Sequence, residues 1–158
     1  MRRAVVLSAL AVCSLALAAV AARQPSAAQP RFTEQDFARL KWIEGQWVGS
    51  GYSKPFYEAY RMVSPTKLEI QHFEDASFTK STGGRSINLN GGRILYEGGS
   101  SQRIAVRLTD TSIEFEQLDN AANGFSWTRR SPDAWTAVIK VKGRADIVYE
   151  MTRVKKTR

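Results

Sequence analysis

The sequence predicts an all-β protein, a single antiparallel up-and-down β-barrel of about ten strands preceded by a short N-terminal helix. Beyond Trp42, apolar and polar residues alternate with the period of two that is typical of strands, and no helical period recurs. Turn signals built from Gly, Pro, Asn and Asp interrupt this alternation at short intervals. Strands joined by short turns pair with their sequence neighbours, and closure into a barrel removes the exposed edges of an open sheet.

The chain has room for one globular domain, because it has 158 residues, 43% of them hydrophobic and 24% charged. Residues 1–22 carry two arginines, an apolar run and an Ala-Val-Ala-Ala end, the layout of a secretory signal peptide. We therefore expect a periplasmic or secreted protein. The mature chain would have a flexible lead-in at 23–32, a barrel domain at 33–154 and a basic tail at 155–158.

A retained membrane anchor is the alternative to a cleaved signal, because residues 4–22 are about long enough to cross a bilayer. The alanine-rich composition and the Ala-x-Ala end favour cleavage, after which we expect no stable membrane insertion. Cys13 is the only cysteine, and Val12 stands where a lipoprotein signal needs a small residue, so we interpret Cys13 as part of the signal core. The mature chain then offers no disulfide, thiol nucleophile or thiolate metal site.

The charge of the chain argues against a nucleic-acid partner. Loss of Arg2 and Arg3 with the signal lowers the count of Lys and Arg from 23 to 21 against 15 acidic residues, a net charge of about +6. These charges are scattered, and their one cluster lies in the C-terminal tail. A nucleic-acid surface needs a concentrated basic patch with interleaved aromatics. No nucleic-acid partner is therefore predicted, and the sequence specifies no protein partner.

The helix is predicted to begin after Thr33, which can cap it, and to end by about Trp42. Glu34 and Asp36 in its first turn suit the positive end of the helix dipole. The segments predicted as strands are 46–53, 55–63, 66–74, 77–81, 85–90, 93–98, 102–109, 112–118, 124–130, 134–142 and 145–154. The predicted turns between them include Gly83-Gly84, Gly91-Gly92 and residues 120–124.

The glycine-rich stretch from Gly45 to Gly51 admits three interpretations, a phosphate-binding loop, an accident of composition or the first strand of the barrel. A phosphate loop needs a helix directly after its glycines, whereas no helical stripe follows here. The stretch is therefore predicted to open the barrel as a strand.

Strand alternation places a few polar side chains on the inward face. They are His72, Arg129, Tyr149 and Arg153, together with Glu58 if Phe56 and Tyr60 also point inward. Each should find a partner or line a wet or ligand-filled cavity, because an unpaired buried charge is costly. In the segment 102–109, the pattern places Ile104, Val106 and Leu108 inward, and Arg103, Ala105 and Arg107 outward.

Gly45-Gln46-Trp47, which opens the first strand after a short helix, resembles the Gly-x-Trp signature of the lipocalin and fatty-acid-binding-protein (calycin) superfamily. Most of residues 33–154 resembles exported bacterial lipocalin-like proteins of unknown function, through the segments 40–47, 115–125 and 135–137 and the closing Tyr149-x-x-x-Arg153. The resemblance implies that Trp47 packs against Arg153 at the barrel floor in a cation–π contact. Gly45, Trp47 and Arg153 would then have structural roles in barrel closure.

Gly45-x-Trp47-x-Gly49-x-Gly51 is also similar to the first strand of nitrobindin-type haem barrels. That similarity implies a haem held by a histidine in the last strand, but the equivalent region, residues 145–147, has none. His72, the only histidine, lies on an early strand. Haem is therefore not expected, and neither is any other cofactor.

The function that these residues predict is the binding of a small hydrophobic or amphipathic molecule inside the barrel, without catalysis. Arg129 or His72 would anchor a polar head group. The walls would be formed by the aromatic residues Phe56, Tyr60, Trp127, Trp135 and Tyr149.

Two alternatives remain at this point, an enzyme that uses the inward polar residues and a structural or interaction module of the cell envelope with a filled barrel. The chain has no Gly-x-Ser-x-Gly motif, and His72 with Glu74 falls short of the usual metal ligand sets. No catalytic residue and no metal ligand is therefore assigned.

Overall fold

The computed structural model describes residues 29–51, 53–98, 102–118 and 120–155. The predicted signal peptide, residues 23–28 of the lead-in and the last three residues of the basic tail lie outside the described residues. Among those described, no helix is long and apolar enough to cross a membrane.

The described residues form a closed barrel of ten antiparallel strands, which confirms the predicted fold class. Each strand pairs with its neighbours in sequence, and the first strand pairs with the last to close the barrel. The strands are β1 (Gly45–Ser50), β2 (Phe56–Ser64), β3 (Lys67–Phe73), β4 (Ser81–Asn90), β5 (Arg93–Glu97), β6 (Arg103–Leu108), β7 (Ser112–Gln117), β8 (Asn120–Ser131), β9 (Ala134–Lys140) and β10 (Ile147–Arg153).

The helix that precedes β1 is short, as expected. It comprises α1 (Glu34–Phe37) and a 3-10 helix (Ala38–Ile43) that continues it. Thr33 caps α1 in a capping box: its hydroxyl accepts a hydrogen bond from the backbone N–H of Asp36 at 3.1 Å, and the carboxylate of Asp36 accepts one from the backbone N–H of Thr33 at 2.9 Å. The buried side chains of this segment belong to the barrel core, so the segment covers one end of the barrel.

The predicted strand at 77–81 and the predicted turn at Gly83-Gly84 are both wrong. The chain turns before Ser81 instead, and both glycines lie inside β4. A Cβ on Gly84 would come within 2.7 Å of the carbonyl oxygen of Ile70 on β3, so the glycine allows a close approach of two strands near the register shift that follows the His72–Gly83 pair.

The predicted turn at residues 120–124 is wrong for the same physical reason. These residues form the first part of β8. A Cβ on Gly124 would overlap the carbonyl oxygen of Phe115 on β7, and the register of the β7–β8 pair shifts at this point. Glycine there marks an irregularity within a strand pair and not a chain reversal.

The inward face of β6 differs from the prediction. Arg103 lines the interior and Ala105 belongs to the core cluster, whereas Ile104 is buried outside that cluster. The register shifts between Ala105 and Arg107, so that Leu108 again packs against the core, as predicted. One bulge within this six-residue strand therefore reverses the predicted inward and outward faces for the residues before it, from Arg103 to Ala105.

Candidate functional site

Arg153 holds the floor of the barrel together. Its guanidinium carbon lies 4.1 Å from the ring centroid of Trp47, which is the contact that the resemblance implied. The guanidinium also donates hydrogen bonds to three backbone carbonyls, those of Glu44 at 2.5 Å, Trp42 at 3.1 Å and Pro132 at 3.0 Å. The side chain thus connects β1, the 3-10 helix and the β8–β9 turn.

Trp47 and Gly45 complete this floor. The indole N–H of Trp47 donates to the carbonyl of Ile43 at 2.6 Å, which ties the end of the 3-10 helix to β1. Gly45 has a φ of +123°, and a Cβ there would overlap the guanidinium of Arg153. Only glycine both adopts this backbone conformation without strain and leaves room for the arginine.

Above this floor, the barrel encloses a cavity of about 440 Å³. Six of the seven residues predicted to bind a ligand line it, and Arg129 is the exception. The lining residues are Phe56, Glu58, Tyr60, His72, Arg85, Tyr96, Arg103, Phe125, Trp127, Trp135, Ala137, Ile139, Ile147, Tyr149 and Met151. The cavity is therefore the place where most of the predicted ligand-binding side chains meet.

Aromatic rings form the deeper wall of the cavity. The rings of Tyr60, Trp127 and Trp135 pack against one another with centroid separations of 5.4 to 5.7 Å. Phe56 and Tyr149 meet edge to face at 5.5 Å. Such contacts hold large rings in fixed orientations, so the wall is a preformed apolar surface.

Glu58, Tyr60 and His72 form a polar group on the β2–β3 side of the cavity. The hydroxyl of Tyr60 donates to the carboxylate of Glu58 at 2.5 Å, and Nε2 of His72 lies 3.5 Å from the other carboxylate oxygen. Burial of Tyr60, and secondly the negative charge of Glu58, raise the pKa of its phenol well above the usual value. Tyr60 therefore acts as a hydrogen-bond donor that fixes the carboxylate.

Two arginines face the cavity from β4 and β6, and neither was assigned to the site from the sequence. Arg85 donates to the carbonyl of Gly98 and lies 5.8 Å from the ring centroid of Tyr96. Arg103 lies 5.8 Å from the ring centroid of Phe125. Within the described part of the chain, neither guanidinium forms an ion pair.

Tyr96 stands between these two arginines, directly opposite Arg103 in the β5–β6 pair. Burial is the main cause that raises the pKa of its phenol to about 12, and the charge of Glu58 adds to this. The positive charges of Arg85 and Arg103 act in the opposite direction without cancelling the effect of burial. The phenol is thus neutral and available for hydrogen bonding.

Arg129 lies at the other end of the barrel from the two cavity arginines. It is paired with Trp135 near the end of β8, and its Nε donates to the carbonyl of Ser131 at 3.3 Å. The alternation Arg85, Ile87, Leu89 along β4 was a signal that could have identified Arg85. For Arg103 the apolar alternation of β6 pointed to the wrong face, so no sequence signal identified it.

The described residues contain no group of three or more His, Cys, Asp and Glu side chains that could hold a metal ion. A larger hollow of about 810 Å³ lies on the outside of β2, β3 and β4. Its charged side chains on β2 and β3 pair with one another, since Glu69 pairs with both Arg61 and Lys67 at 3.0 and 3.1 Å. The interior cavity is therefore the better candidate site.

The fold and the cavity define the class of protein, a closed ten-stranded antiparallel β-barrel with an internal, largely aromatic cavity. No protein-family model matches the chain, and no curated protein matches it. Among solved structures the chain is similar to a redesigned β-barrel, with 12% sequence identity, a TM-score of 0.40, and coverage of 73% of this chain and 94% of the redesigned one. The resemblance to the lipocalin superfamily rests on the sequence motifs alone.

Proposed function

We propose that this barrel binds a small amphipathic molecule in its interior, without catalysis, as a carrier or a sensor. The observation that carries the proposal is the cavity of about 440 Å³, which combines an aromatic wall with a few convergent polar groups. Pockets for small molecules span about 300 to 1,000 Å³ and share this combination. A barrel with a purely structural role would be expected to fill its interior with side chains.

The polar groups are gathered at the end of the cavity away from the floor. His72 lies near the end of β3 and Arg103 at the start of β6, so both lie opposite the end that Trp47 and Arg153 close. Ile147, at the start of β10, lies at the same end of the barrel. Ile147 lines the cavity and is 41% exposed. A ligand would enter there, with its apolar part toward Trp127 and Trp135 and its polar end toward the solvent.

We also propose that the protein is exported and is a lipocalin-like member of the calycin superfamily. The signal-like pattern of residues 1–22 supports export, and Gly45-x-Trp47 with Arg153 supports the family. Intact mass measurement of the protein recovered from the cell envelope or medium tests export. A mature chain that begins near residue 23 is the expected result, and an uncleaved chain in the cytoplasm would contradict it.

Ligand binding in the cavity is tested with N-phenyl-1-naphthylamine, an uncharged apolar probe whose emission rises on transfer from water. We expect the wild-type protein to enhance its fluorescence and to transfer energy to it from the cavity tryptophans. Ala137 lines the cavity and Val138 alternates to the outer face of β9. Ala137→Phe fills the cavity and should lower the affinity about tenfold or more.

Val138→Phe is the matched control, because it adds the same side chain one residue away on the opposite face. It should leave the affinity unchanged. Equal affinities of Ala137→Phe and the wild type would show that the probe binds elsewhere, and no enhancement by any of the three proteins would refute the proposed function.

A further inference from the structure

We propose that the ligand is an organic monoanion, a carboxylate or sulfonate with an apolar body, and that Arg85 and Arg103 hold its acid group at the open end of the cavity. This inference rests on the proposed function and adds the chemical class of the ligand. The site lies on β4 and β6, away from Arg129 of β8, which the sequence predicts as an anchor.

The guanidinium groups of Arg85 and Arg103 keep donors to spare. A guanidinium has five N–H donors. Arg85 gives one hydrogen bond to the carbonyl of Gly98, and Arg103 lies over the ring of Phe125. Among the described residues no carboxylate pairs with either of them. An anion would form charge-assisted hydrogen bonds with these cations, and an apolar body on the same molecule would fill the adjacent apolar cavity.

Arg85, Tyr96 and Arg103 lie close enough together to bind one acid group. Tyr96 lies opposite Arg103 across the β5–β6 pair, and Arg85 lies over its ring, so the three side chains converge from adjacent strands. The neutral phenol of Tyr96 adds a hydrogen-bond donor to the two cations. An acid group placed there meets donors on several sides, while its apolar body reaches the aromatic wall at Trp127.

The charges in the cavity favour a ligand with one negative charge. Among the described residues, the ionisable side chains that face the cavity are Arg85, Arg103, Glu58 and His72, besides the two neutral tyrosines Tyr60 and Tyr96. Tyr60 and His72 engage the carboxylate of Glu58 on the β2–β3 side, which leaves it away from the arginine pair. The two arginines and the one carboxylate together leave a single positive charge in the cavity. One negative charge on the ligand neutralises it, and a second would be repelled by Glu58.

The test compares two probes that share one ring system. They are 1-anilinonaphthalene-8-sulfonate, which is anionic, and N-phenyl-1-naphthylamine, which lacks the sulfonate. We expect the wild type to bind the anionic probe about tenfold more tightly than the neutral one. Arg85→Gln and Arg103→Gln should each lower the affinity for the anionic probe about tenfold and leave the neutral probe unaffected.

Arg107→Gln is the matched control, because it removes the same charge from an exposed side chain of β6 that pairs with Glu114 on the outside. It should leave both affinities unchanged. Arg85→Lys and Arg103→Lys keep the charge and should retain part of the preference for the anion, so they serve if a glutamine variant fails to fold.

The outcomes separate the two proposals. Equal affinities of the wild type for both probes would overturn the monoanion and leave the proposed function standing. Equal weakening of the anionic probe by Arg107→Gln would also overturn it, because the effect would then come from overall charge. If neither probe binds, the proposed function fails and the inference fails with it.

Discussion

Arg153 on the last strand stacks on Trp47 of the first strand at 4.1 Å, and the same guanidinium donates to the carbonyls of Trp42 and Glu44. The barrel closes between these two strands, because Trp47 and Arg153 are direct partners in the β1–β10 register. One side chain therefore joins the seam of the barrel to the helical segment that covers its floor. The cavity lies above this joint, so its lower boundary depends on it.

Replacement of Arg153 should destabilise the protein strongly. Arg153→Ala leaves the carbonyls of Trp42 and Glu44 without their charged donor and exposes the face of Trp47, and we expect it to lower the free energy of unfolding by about 3 kcal/mol. Arg153→Lys keeps the charge but loses the planar fork, so it should lose about half as much. Urea denaturation followed by tryptophan fluorescence measures both values.

Arg107→Ala is the control for this prediction, because its side chain is 68% exposed and its ion pair with Glu114 is long, at 4.0 Å. It should change the free energy of unfolding by less than about 0.5 kcal/mol. A loss in Arg153→Ala no larger than that of the control would show that the joint does not stabilise the barrel.

Gly45 and Gly83 separate backbone strain from steric overlap. Both have a positive φ, of +123° and +143°. A Cβ on Gly45 would overlap Arg153, whereas a Cβ on Gly83 would meet no atom of the described residues within 4 Å. Gly83→Ala should therefore cost about 1 kcal/mol of stability from strain alone. Gly45→Ala should cost about 2 kcal/mol more, because Arg153 must also move.

Thermal or urea unfolding of the two variants tests this difference. A double variant, Gly45→Ala with Arg153→Ala, provides the internal check. The excess cost at Gly45 should disappear when Arg153 is already absent. Equal costs for the two single glycine variants would mean that the overlap with Arg153 is relieved without penalty.

Thr136 is a buried residue whose hydroxyl has no hydrogen-bond partner among the residues that the structure describes. Its exposed fraction is 4%, and it lies on β9 between Trp135 and Ala137. Valine has almost the same shape without the polar group, so Thr136→Val should raise the free energy of unfolding by about 1 kcal/mol. Thr152→Val, at an exposed position of β10, is the matched control and should change it little. A destabilised Thr136→Val would show that the hydroxyl is satisfied in solution.

The barrel was predictable from the sequence because period-two alternation and short turns leave few other topologies. The contact between Trp47 and Arg153 at the floor was also predictable, because these residues lie on the first and last strands, which pair to close the barrel. What escaped prediction depends on glycines and bulges. Gly84 and Gly124 were expected in turns, but they lie within strands where a neighbouring carbonyl comes too close for a Cβ.

The same kind of irregularity explains why Arg103, one of the two arginines in the candidate site, was not predicted to face inward. The bulge after Ala105 brings Arg103 to the interior, although Ile104, Val106 and Leu108 form a regular apolar alternation. Arg129 shares the alternation of Phe125 and Trp127 but lies beyond the cavity, near the floor. Alternation reports which face a residue occupies, and the depth along the barrel axis needs the register of every strand pair.

Tyr96 should make the stability of the protein fall at high pH. Burial raises the pKa of its phenol to about 12 in the folded protein, whereas a tyrosine in an unfolded chain ionises near pH 10. As the pH rises above 10, the unfolded state loses this proton while the folded state keeps it, so ionisation favours unfolding. The stability that is fully present below pH 10 should therefore decrease continuously toward pH 12. Tyr60, whose pKa is also raised, adds to the decrease.

Tyr96→Phe removes one of the two contributions to this decrease and tests it directly. Urea denaturation at about pH 9 and at about pH 11 should show a smaller loss of stability in the variant than in the wild type. The near-ultraviolet absorbance of tyrosinate gives an independent readout, because the variant should lack one transition near pH 12. Identical pH profiles would mean that Tyr96 reaches solvent when it ionises. The apolar surroundings of the proposed anion site would then be wetter than the cavity indicates.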